Sequence, residues 1–199
     1  MSFLQLHLPK ISLHALSSRL FGTGAQNAVM THVVETKASA FTGELSEIGW
    51  DLIHQEHRVR ASGAKILHVF GEVLSFDGLP VTGATVEIRQ CDMYGRAVDE
   101  QRACSGFYGV GRTTTDFEGR YQFRTILPAP ARTQSAGIDA LVIPPHGRKL
   151  ATRLYFLNHA ANDQDWEYQA LGPARQAAVT LDPVRRPDGD LDAGFNFVL

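Results

Sequence analysis

Short segments of alternating apolar and polar residues, separated by turn-forming residues, are the feature that most constrains the fold of this chain. Residues 85–90, 121–126 and 150–156 alternate in this way. Strict alternation is typical of a β-strand that buries one face and exposes the other. The segments end at turn signals such as Asp77-Gly78 and Pro144-Pro145. A series of short strands with regular turns predicts an all-β fold, an antiparallel β-sandwich, over residues 65–199.

The first third of the chain has a different pattern. Leu13, Leu16 and Leu20 are spaced as on one face of a helix, but alternation is absent before residue 65. We therefore predict that residues 1–64 form an irregular or partly helical N-terminal arm that makes oligomer contacts. Residues 158–171 are the one further segment with a helical pattern.

The charge balance and the hydropathy pattern exclude some classes of partner. Lys and Arg total 19 and Asp and Glu total 21, which gives a formal net charge of −2. A nucleic-acid-binding domain normally has a basic excess, so we expect no nucleic-acid partner. No apolar run is long enough to span a membrane, and Lys10 and His14 interrupt any secretory signal. We expect a cytoplasmic protein.

Eight histidines raise the question of a metal site. His54 and His57 are three residues apart, a spacing that would place both imidazoles on one face of a helix. A third ligand is not apparent near them. Solvated surface histidines are the simpler interpretation.

Five segments together carry a family resemblance. They read Gly-Glu-Val at 71–73, Asp-Gly-Leu-Pro-Val-Thr-Gly-Ala-Thr-Val-Glu-Ile at 77–88, Gly-Val-Gly-Arg-Thr-Thr-Thr-Asp at 109–116, Gly-Arg-Tyr-Gln-Phe-Arg-Thr-Ile-Leu-Pro at 119–128, and Thr-Arg-Leu-Tyr-Phe at 152–156. In this order they resemble the intradiol ring-cleavage dioxygenases. The resemblance implies a β-sandwich of the intradiol dioxygenase type. It also implies a ferric ion held by two tyrosinates and two histidines, at which a catechol ring is opened by O₂.

Both tyrosine positions implied by this resemblance hold alanine. The family's Gly-Arg-Tyr triplet reads Gly95-Arg96-Ala97 here. The tyrosine that follows the family's Thr-Ile-x-Pro-Gly-Pro turn corresponds to Ala131. Because a methyl group cannot bind a metal, both phenolate ligands are missing.

The histidine positions are also altered, under either of two alignments. Aligning the apolar strand at residues 138–143 places Gly137 and Asp139 at the family's His-x-His pair, whereas matching the text Pro-x-His places His146 and Arg148 there. At most one of the four ligands survives, so we expect no metal in this chain. Arg153 stands where iron-bearing chains often have Gln, which adds a positive charge beside the metal position.

One branch of the family, the protocatechuate 3,4-dioxygenases, combines an iron-binding β chain with an α chain whose own site is degenerate. The resemblance to that α chain extends loosely to Thr36, Ser39 and Gly43, in a stretch that borders the partner's active site. Our first hypothesis is a non-iron, α-like subunit that shapes the active site of a homologous iron-binding β-type partner. Fe(III) is then expected only in the partner chain. The implied pocket or partner-site residues are Thr36, Ser39, Gly43, Ala97, Ala131 and Gly137.

The alternative hypothesis is a stand-alone, metal-free homologue with a repurposed pocket. Removing four large ligands would open space, and Asp139 with Arg153 could supply an acid–base pair or bind an anion. These two residues are therefore candidate catalytic residues. Such a protein would self-associate and could take a small aromatic ligand. An Asp–Arg pair in a β-sandwich is also a common structural ion pair.

Overall fold

The computed structural model describes residues 49–97, 106–131 and 134–199, which form a sandwich of two β-sheets. In the first sheet β1 (Ile66–Leu74) pairs with β4 (Arg120–Ile126) and with the short strands β9 (Leu191–Gly194) and β10 (Phe197–Val198), and β9 pairs with β8 (Val184–Arg185). The second sheet has the order β3 (Val110–Thr114), β2 (Thr85–Gln90), β5 (Gly137–Ile143), β6 (Leu150–Phe156) and β7 (Thr180–Leu181).

Alternation along the strands builds the core between the two sheets. In β5, Ile138, Ala140 and Val142 are fully buried, whereas Asp139 and Leu141, on the other face, are half-buried. Successive side chains of a strand point to opposite faces, so each long strand contributes one apolar row to the core. The side chains of Asp139 and its neighbours therefore lie on the outer face of the second sheet.

The predicted β-sandwich is confirmed, and its pairing is mixed. The long strands pair antiparallel, including β1 with β4 and β5 with both β2 and β6. The short strands β7, β9 and β10 add to the sheets in parallel. A parallel partner requires a longer connection than a hairpin, and here it comes from the last fifth of the chain.

Three short helical segments connect β6 to β7. They are a 3₁₀ helix (Ala160–Gln164), α2 (Trp166–Leu171) and α3 (Pro173–Ala178). The Asp165 side chain accepts the backbone N–H groups of Glu167 and Tyr168, so it caps the N-terminus of α2. The helical prediction for residues 158–171 is confirmed, and α3 extends the helical region further.

Residues 49–55 link the two sheets through their backbone. The N–H of Leu52 donates to the carbonyl of Arg124 in β4 at 2.9 Å, and the carbonyl of Leu52 accepts from Tyr108 at 2.9 Å. The N–H of Arg112 in β3 donates to the carbonyl of Gly49 at 3.2 Å. The helix α1 (Glu56–Ala61) follows, with Val59 buried. The part of the predicted arm that the structure describes, residues 49–64, thus packs into the sandwich.

A buried polar contact also ties the sheets together. The amide of Gln90 at the end of β2 donates to the carbonyl of Ile126 at 2.8 Å and accepts the Thr125 hydroxyl at 2.8 Å. Buried polar groups need such partners, because an unsatisfied one costs free energy. This contact fixes the ends of β2 and β4, from which the two loops of the candidate site begin.

No helix in the described ranges is long and apolar enough to cross a membrane.

Candidate functional site

The loops that carry Ala97 and Ala131 lie side by side. Ala97 forms an antiparallel bridge with Cys91, which closes the loop after β2. The N–H of Ala129, in the loop after β4, donates to the carbonyl of Asp92 at 3.1 Å. The structure therefore brings together the two positions at which the resemblance implies tyrosines.

A buried carboxylate and a glycine hold the first of these loops in place. The Asp92 side chain, fully buried, accepts the N–H groups of Tyr94 at 2.8 Å and Arg96 at 3.0 Å. Gly95 has a φ of +72°, and a Cβ built on it would lie 1.9 Å from the carbonyl oxygen of Pro130. Only glycine permits this conformation and this approach of the two loops.

Asp139 and Arg153 meet on the outer face of the second sheet. They are register partners in the antiparallel pair of β5 and β6. The Nη1 of Arg153 donates to Oδ1 of Asp139 at 2.7 Å, and its Nη2 donates to the carbonyl of Ser135 at 2.9 Å. The Arg153 side chain is 8% exposed and the Asp139 side chain 29%. The two candidate catalytic residues thus form a partly buried ion pair.

Gly137 begins β5 and makes room for this arginine. A Cβ built on Gly137 would lie 2.8 Å from Nε of Arg153 and 2.9 Å from the carbonyl oxygen of Leu154. Gly137 itself is buried. A larger side chain at this position would collide with the guanidinium and with the backbone of β6.

The charge on Arg153 is stable. Burial, the largest influence, lowers its pKa, but the attraction and hydrogen bond of Asp139, with Tyr155 and Asp165, outweigh burial and raise the pKa of Arg153. The guanidinium therefore remains a cation and does not exchange a proton near neutral pH. Its Nε is buried and has no hydrogen-bond partner in the described part of the chain.

Cys91 lies near the Asp139–Arg153 pair, and the charges of both residues influence the pKa of its thiol. Burial is the main cause that raises the pKa of the Cys91 thiol, with Asp139 and Asp92 acting in the same direction and Arg153 against it. A thiol with a raised pKa is protonated at neutral pH and is a weak nucleophile. Cys91 contributes packing here, as a half-buried residue.

The side chains at this place do not fit a ferric ion. Ala97, Ala131 and Gly137 have no donor atoms, and the carboxylate of Asp139 is engaged by the guanidinium of Arg153. Within the described ranges no group of three or more His, Cys, Asp or Glu residues could hold a metal ion. A hard trivalent cation needs several anionic or imidazole ligands.

The histidines lie elsewhere. His54 precedes α1, which begins at Glu56, so His54 and His57 do not share a helix face as their spacing suggested. The ring of His54 instead packs against Tyr108, with the ring centroids 4.2 Å apart. His146 is exposed in the turn between β5 and β6.

The position of His146 favours the strand alignment. Gly137 and Asp139 lie at the start of β5, where Asp139 is the register partner of Arg153, whereas His146 and Arg148 follow the end of the same strand. Thr36, Ser39 and Gly43 lie outside the described residues.

The contacts that hold Ser135 in place beside Arg153 were not predicted from the sequence. The N–H of Ser135, whose carbonyl accepts from Arg153, donates to Oδ2 of Asp165 at 2.7 Å. The Ser135 hydroxyl is also hydrogen-bonded to the Asn162 side chain. An Asp immediately before a helical segment is an N-cap signal, and that signal marks Asp165 in the sequence. Its second contact, to a loop 30 residues earlier, has no sequence signal.

Comparison with known proteins identifies the family. Residues 38–199 match the model of the dioxygenase family (Dioxygenase_C), which is more than half of the chain. The chain belongs to this family, the intradiol ring-cleavage dioxygenases. Among curated proteins, the protocatechuate 3,4-dioxygenase beta chain of Burkholderia cepacia is 45% identical over 65 residues, 30% of this chain and 28% of that relative. The match therefore spans less than a third of the relative's length.

Solved structures agree on the fold. The dioxygenase domain of a dioxygenase carbohydrate-binding protein fusion from Streptomyces sp. SirexAA-E superposes with a TM-score of 0.67 at 22% identity, covering 84% of this chain and 97% of that one. The 3-chlorocatechol 1,2-dioxygenase of Rhodococcus opacus 1CP also has a TM-score of 0.67, at 17% identity, covering 86% and 72%. At these identities the similarity concerns the fold.

Proposed function

We propose that this chain is a non-iron, α-like subunit of a protocatechuate 3,4-dioxygenase-type enzyme, in which it shapes the active site of an iron-binding β-type partner. One observation carries the proposal: the guanidinium of Arg153 fills the space beside Gly137, where the resemblance implies a histidine ligand. The positively charged guanidinium of Arg153, paired with the carboxylate of Asp139, thus lies beside the position that the resemblance implies for the iron.

The loops around this site are retained although their ligands are absent. Gly95 and the buried Asp92 still hold the loop of Ala97 against the loop of Ala131. Retention of the loops is what we expect of a surface that packs against a homologous partner.

The beta-chain name of the Burkholderia cepacia relative supports a partner of this type, since it distinguishes one kind of chain from another. In our proposal Thr36, Ser39 and Gly43 contribute to the mouth of the partner's site. The partner holds Fe(III) and takes the small aromatic substrate. This chain supplies packing surface and fixed charge.

Co-expression with an iron-binding β-type chain tests this proposal. We expect a mixed complex on size exclusion, with about one iron per pair of chains by elemental analysis, and no stoichiometric iron in this chain purified alone. Failure to form a mixed complex with β-type chains would contradict the proposal, as would stoichiometric iron in this chain alone.

A rebuilt site provides a matched variant. Ala97→Tyr, Ala131→Tyr, Gly137→His and Asp139→His restore the implied ligands, and Arg153→Gln removes the competing cation. We expect the variant with all five substitutions to bind more iron than the variant with the first four substitutions and Arg153 retained. The reason is that Nε of Arg153 would collide with any side chain at position 137. Circular dichroism of both variants checks that they are folded. Equal iron in two folded variants would show that Arg153 does not exclude the metal.

One observation favours the alternative, a metal-free protein with its own ligand. Among the residues that the structure describes, the buried Nε of Arg153 is a donor without an acceptor, and a buried unsatisfied donor is unfavourable until an acceptor arrives. A stable homo-oligomer that binds an aromatic carboxylate, and loses that binding in Arg153→Met, would favour this function over the subunit role.

A further inference from the structure

A cavity opens at the end of the sandwich opposite the start of β5. Its volume is about 610 Å³, and it lies between the turn after β5, the turn after β1 and Leu199. Asp139 is near the start of β5, and the cavity begins at Pro144, beyond its end. With about 3.3 Å of rise per strand residue, Pro144 is roughly 17 Å along the chain from Asp139 of β5, and Leu150 is roughly 10 Å along β6 from Arg153. It is therefore separate from the family site.

The floor of this cavity is aliphatic. Leu150 is 2% exposed and belongs to the core, and Val81 and Leu199 pack against the core. Backbone hydrogen bonds hold Val81 and Leu199 in place. The N–H of Val81 donates to the carbonyl of Val73 at 2.8 Å, and the N–H of Leu199 donates to the carbonyl of Leu74 at 2.9 Å. The floor is thus a preformed apolar surface at the mouth between the two sheets.

The rim of the cavity is basic. His146, Arg148 and Lys149 line it within four consecutive positions, and all three are exposed. Ser75 adds a hydroxyl group, and among the described residues no Asp or Glu side chain lines the cavity. Asp77 lies in the neighbouring turn but is not part of the lining. The rim therefore favours a negatively charged group.

We propose that this cavity binds a short-chain aliphatic carboxylate. The alkyl chain lies on Val81, Leu150 and Leu199, and the carboxylate is held by Lys149 and His146 at the rim. Apolar walls with a few convergent polar groups are the usual composition of a small-molecule site, and the volume is within the usual range. The complementary charge comes from Lys149, an ammonium on a flexible stem.

Two other classes of anion fit the cavity less well. An aromatic acid would gain from a large ring to stack on, and among the described residues no Phe, Tyr or Trp side chain lines the cavity. Inorganic phosphate would use the rim but leave the aliphatic floor uncovered. The combination of an aliphatic floor and a basic rim is what points to an alkyl carboxylate.

Calorimetric titration of the full chain with hexanoate tests the proposal. We expect hexanoate to bind, with affinity falling roughly threefold for each methylene removed in pentanoate and butanoate, because each buried methylene contributes to transfer free energy. Hexanamide, which lacks the charge, should bind at least about fivefold more weakly.

Lys149→Gln provides the variant and Lys65→Gln the matched control. Both lysines are exposed, and Lys65 lies outside the cavity lining. We expect Lys149→Gln to weaken hexanoate binding roughly fivefold and Lys65→Gln to leave it unchanged. No binding of hexanoate, equal binding of phosphate or benzoate, or equal affinity in Lys149→Gln and the wild type would each overturn the proposal. Arg153→Met should leave hexanoate binding intact, which separates this site from the family site.

Discussion

Gly137 and Arg153 fit together as a pair, in which the absence of one side chain provides the space for the other. The ideal Cβ position of Gly137 lies 2.8 Å from Nε and 3.0 Å from Cζ of Arg153. The first distance is shorter than real Cβ contacts and the second is tighter than most of them, so the arginine takes this position beside glycine and would have to shift beside a larger residue. The identity of residue 137 therefore decides where the guanidinium lies.

Gly137→Ala should lower the free energy of unfolding by about 1–3 kcal/mol, because overpacking forces neighbours off their preferred positions. The flexible guanidinium can move, but the carbonyl of Leu154, 2.9 Å from the new Cβ, is backbone and cannot move easily. Urea unfolding measures the change. Gly49→Ala is the control, since no atom of the described residues lies within 4 Å of its ideal Cβ. An equal effect of the two substitutions would contradict the packing seen at Gly137.

The ion pair of Arg153 and Asp139 should show a measurable coupling energy. Arg153→Gln removes the charged partner of Asp139 and weakens the contact to the carbonyl of Ser135, and we expect a loss of about 2–4 kcal/mol in the free energy of unfolding. A double-mutant cycle with Asp139→Asn should give a coupling of about 1–2 kcal/mol. The more exposed pair Arg186–Asp192 is the control, with an expected coupling below about 1 kcal/mol. Equal couplings would mean that burial does not strengthen the Arg153 pair.

The buried hydroxyl of Tyr121 should contribute to stability through a single contact. It donates to the carbonyl of Phe195 at 2.7 Å and joins β4 to the segment between β9 and β10. Tyr121→Phe leaves that carbonyl without its partner, so we expect a loss of about 1–2 kcal/mol in thermal or urea unfolding. Tyr94→Phe is the matched control because Tyr94 is 57% exposed. A neutral Tyr121→Phe would show that water replaces the hydroxyl.

Asp190 should make stability fall in acid. Burial, the largest influence, raises its pKa, but the hydrogen bonds and charges of Arg60 and His68 outweigh burial and lower the pKa of Asp190 on balance. The Arg60 guanidinium donates to both oxygens of Asp190, at 2.9 and 3.2 Å. With the folded pKa below the unfolded one, the stabilisation is complete above the unfolded value near 3.8 and is lost as pH falls through the folded value.

The comparison with Asp190→Asn isolates this effect, because other carboxylates titrate in the same range. We expect the free energy of unfolding of the wild type to decrease more steeply than that of Asp190→Asn as the pH falls below about 4. Denaturant titrations at a series of pH values between about 6 and 2 measure both slopes. Parallel slopes would show that Arg60 does not hold this carboxylate in its charged form.

Local pattern predicted much of the sandwich. The alternation in residues 121–126 and 150–156 corresponds to β4 and β6, and the strand at residues 138–143 corresponds to β5. The strands β4 and β5 were predictable because one face of each is more buried than the other, and such burial imposes a period of two on the sequence, whereas β6 is buried on both faces. The same reasoning placed Gly137 and Asp139 at the start of β5.

Long-range contacts were beyond sequence reasoning. Residues 49–55 carry no alternating pattern, since their role is set by backbone hydrogen bonds to β3 and β4 rather than by an apolar face. The helix α3 is six residues long and has no buried residue, so it leaves no periodic signal. The contact between Asp139 and Arg153 depended on the register of β5 and β6, which one sequence does not specify.

The position of residues 49–55 has a consequence for the behaviour of the chain in a crowded solution. An open strand edge offers unpaired N–H and carbonyl groups to any other extended chain, which is a common route to aggregation. Here Gly49 and Leu52 occupy such groups on β3 and β4. The segment thus covers the edges of β3 and β4. A chain shortened to begin at residue 56 would expose both edges, and we expect it to aggregate more readily.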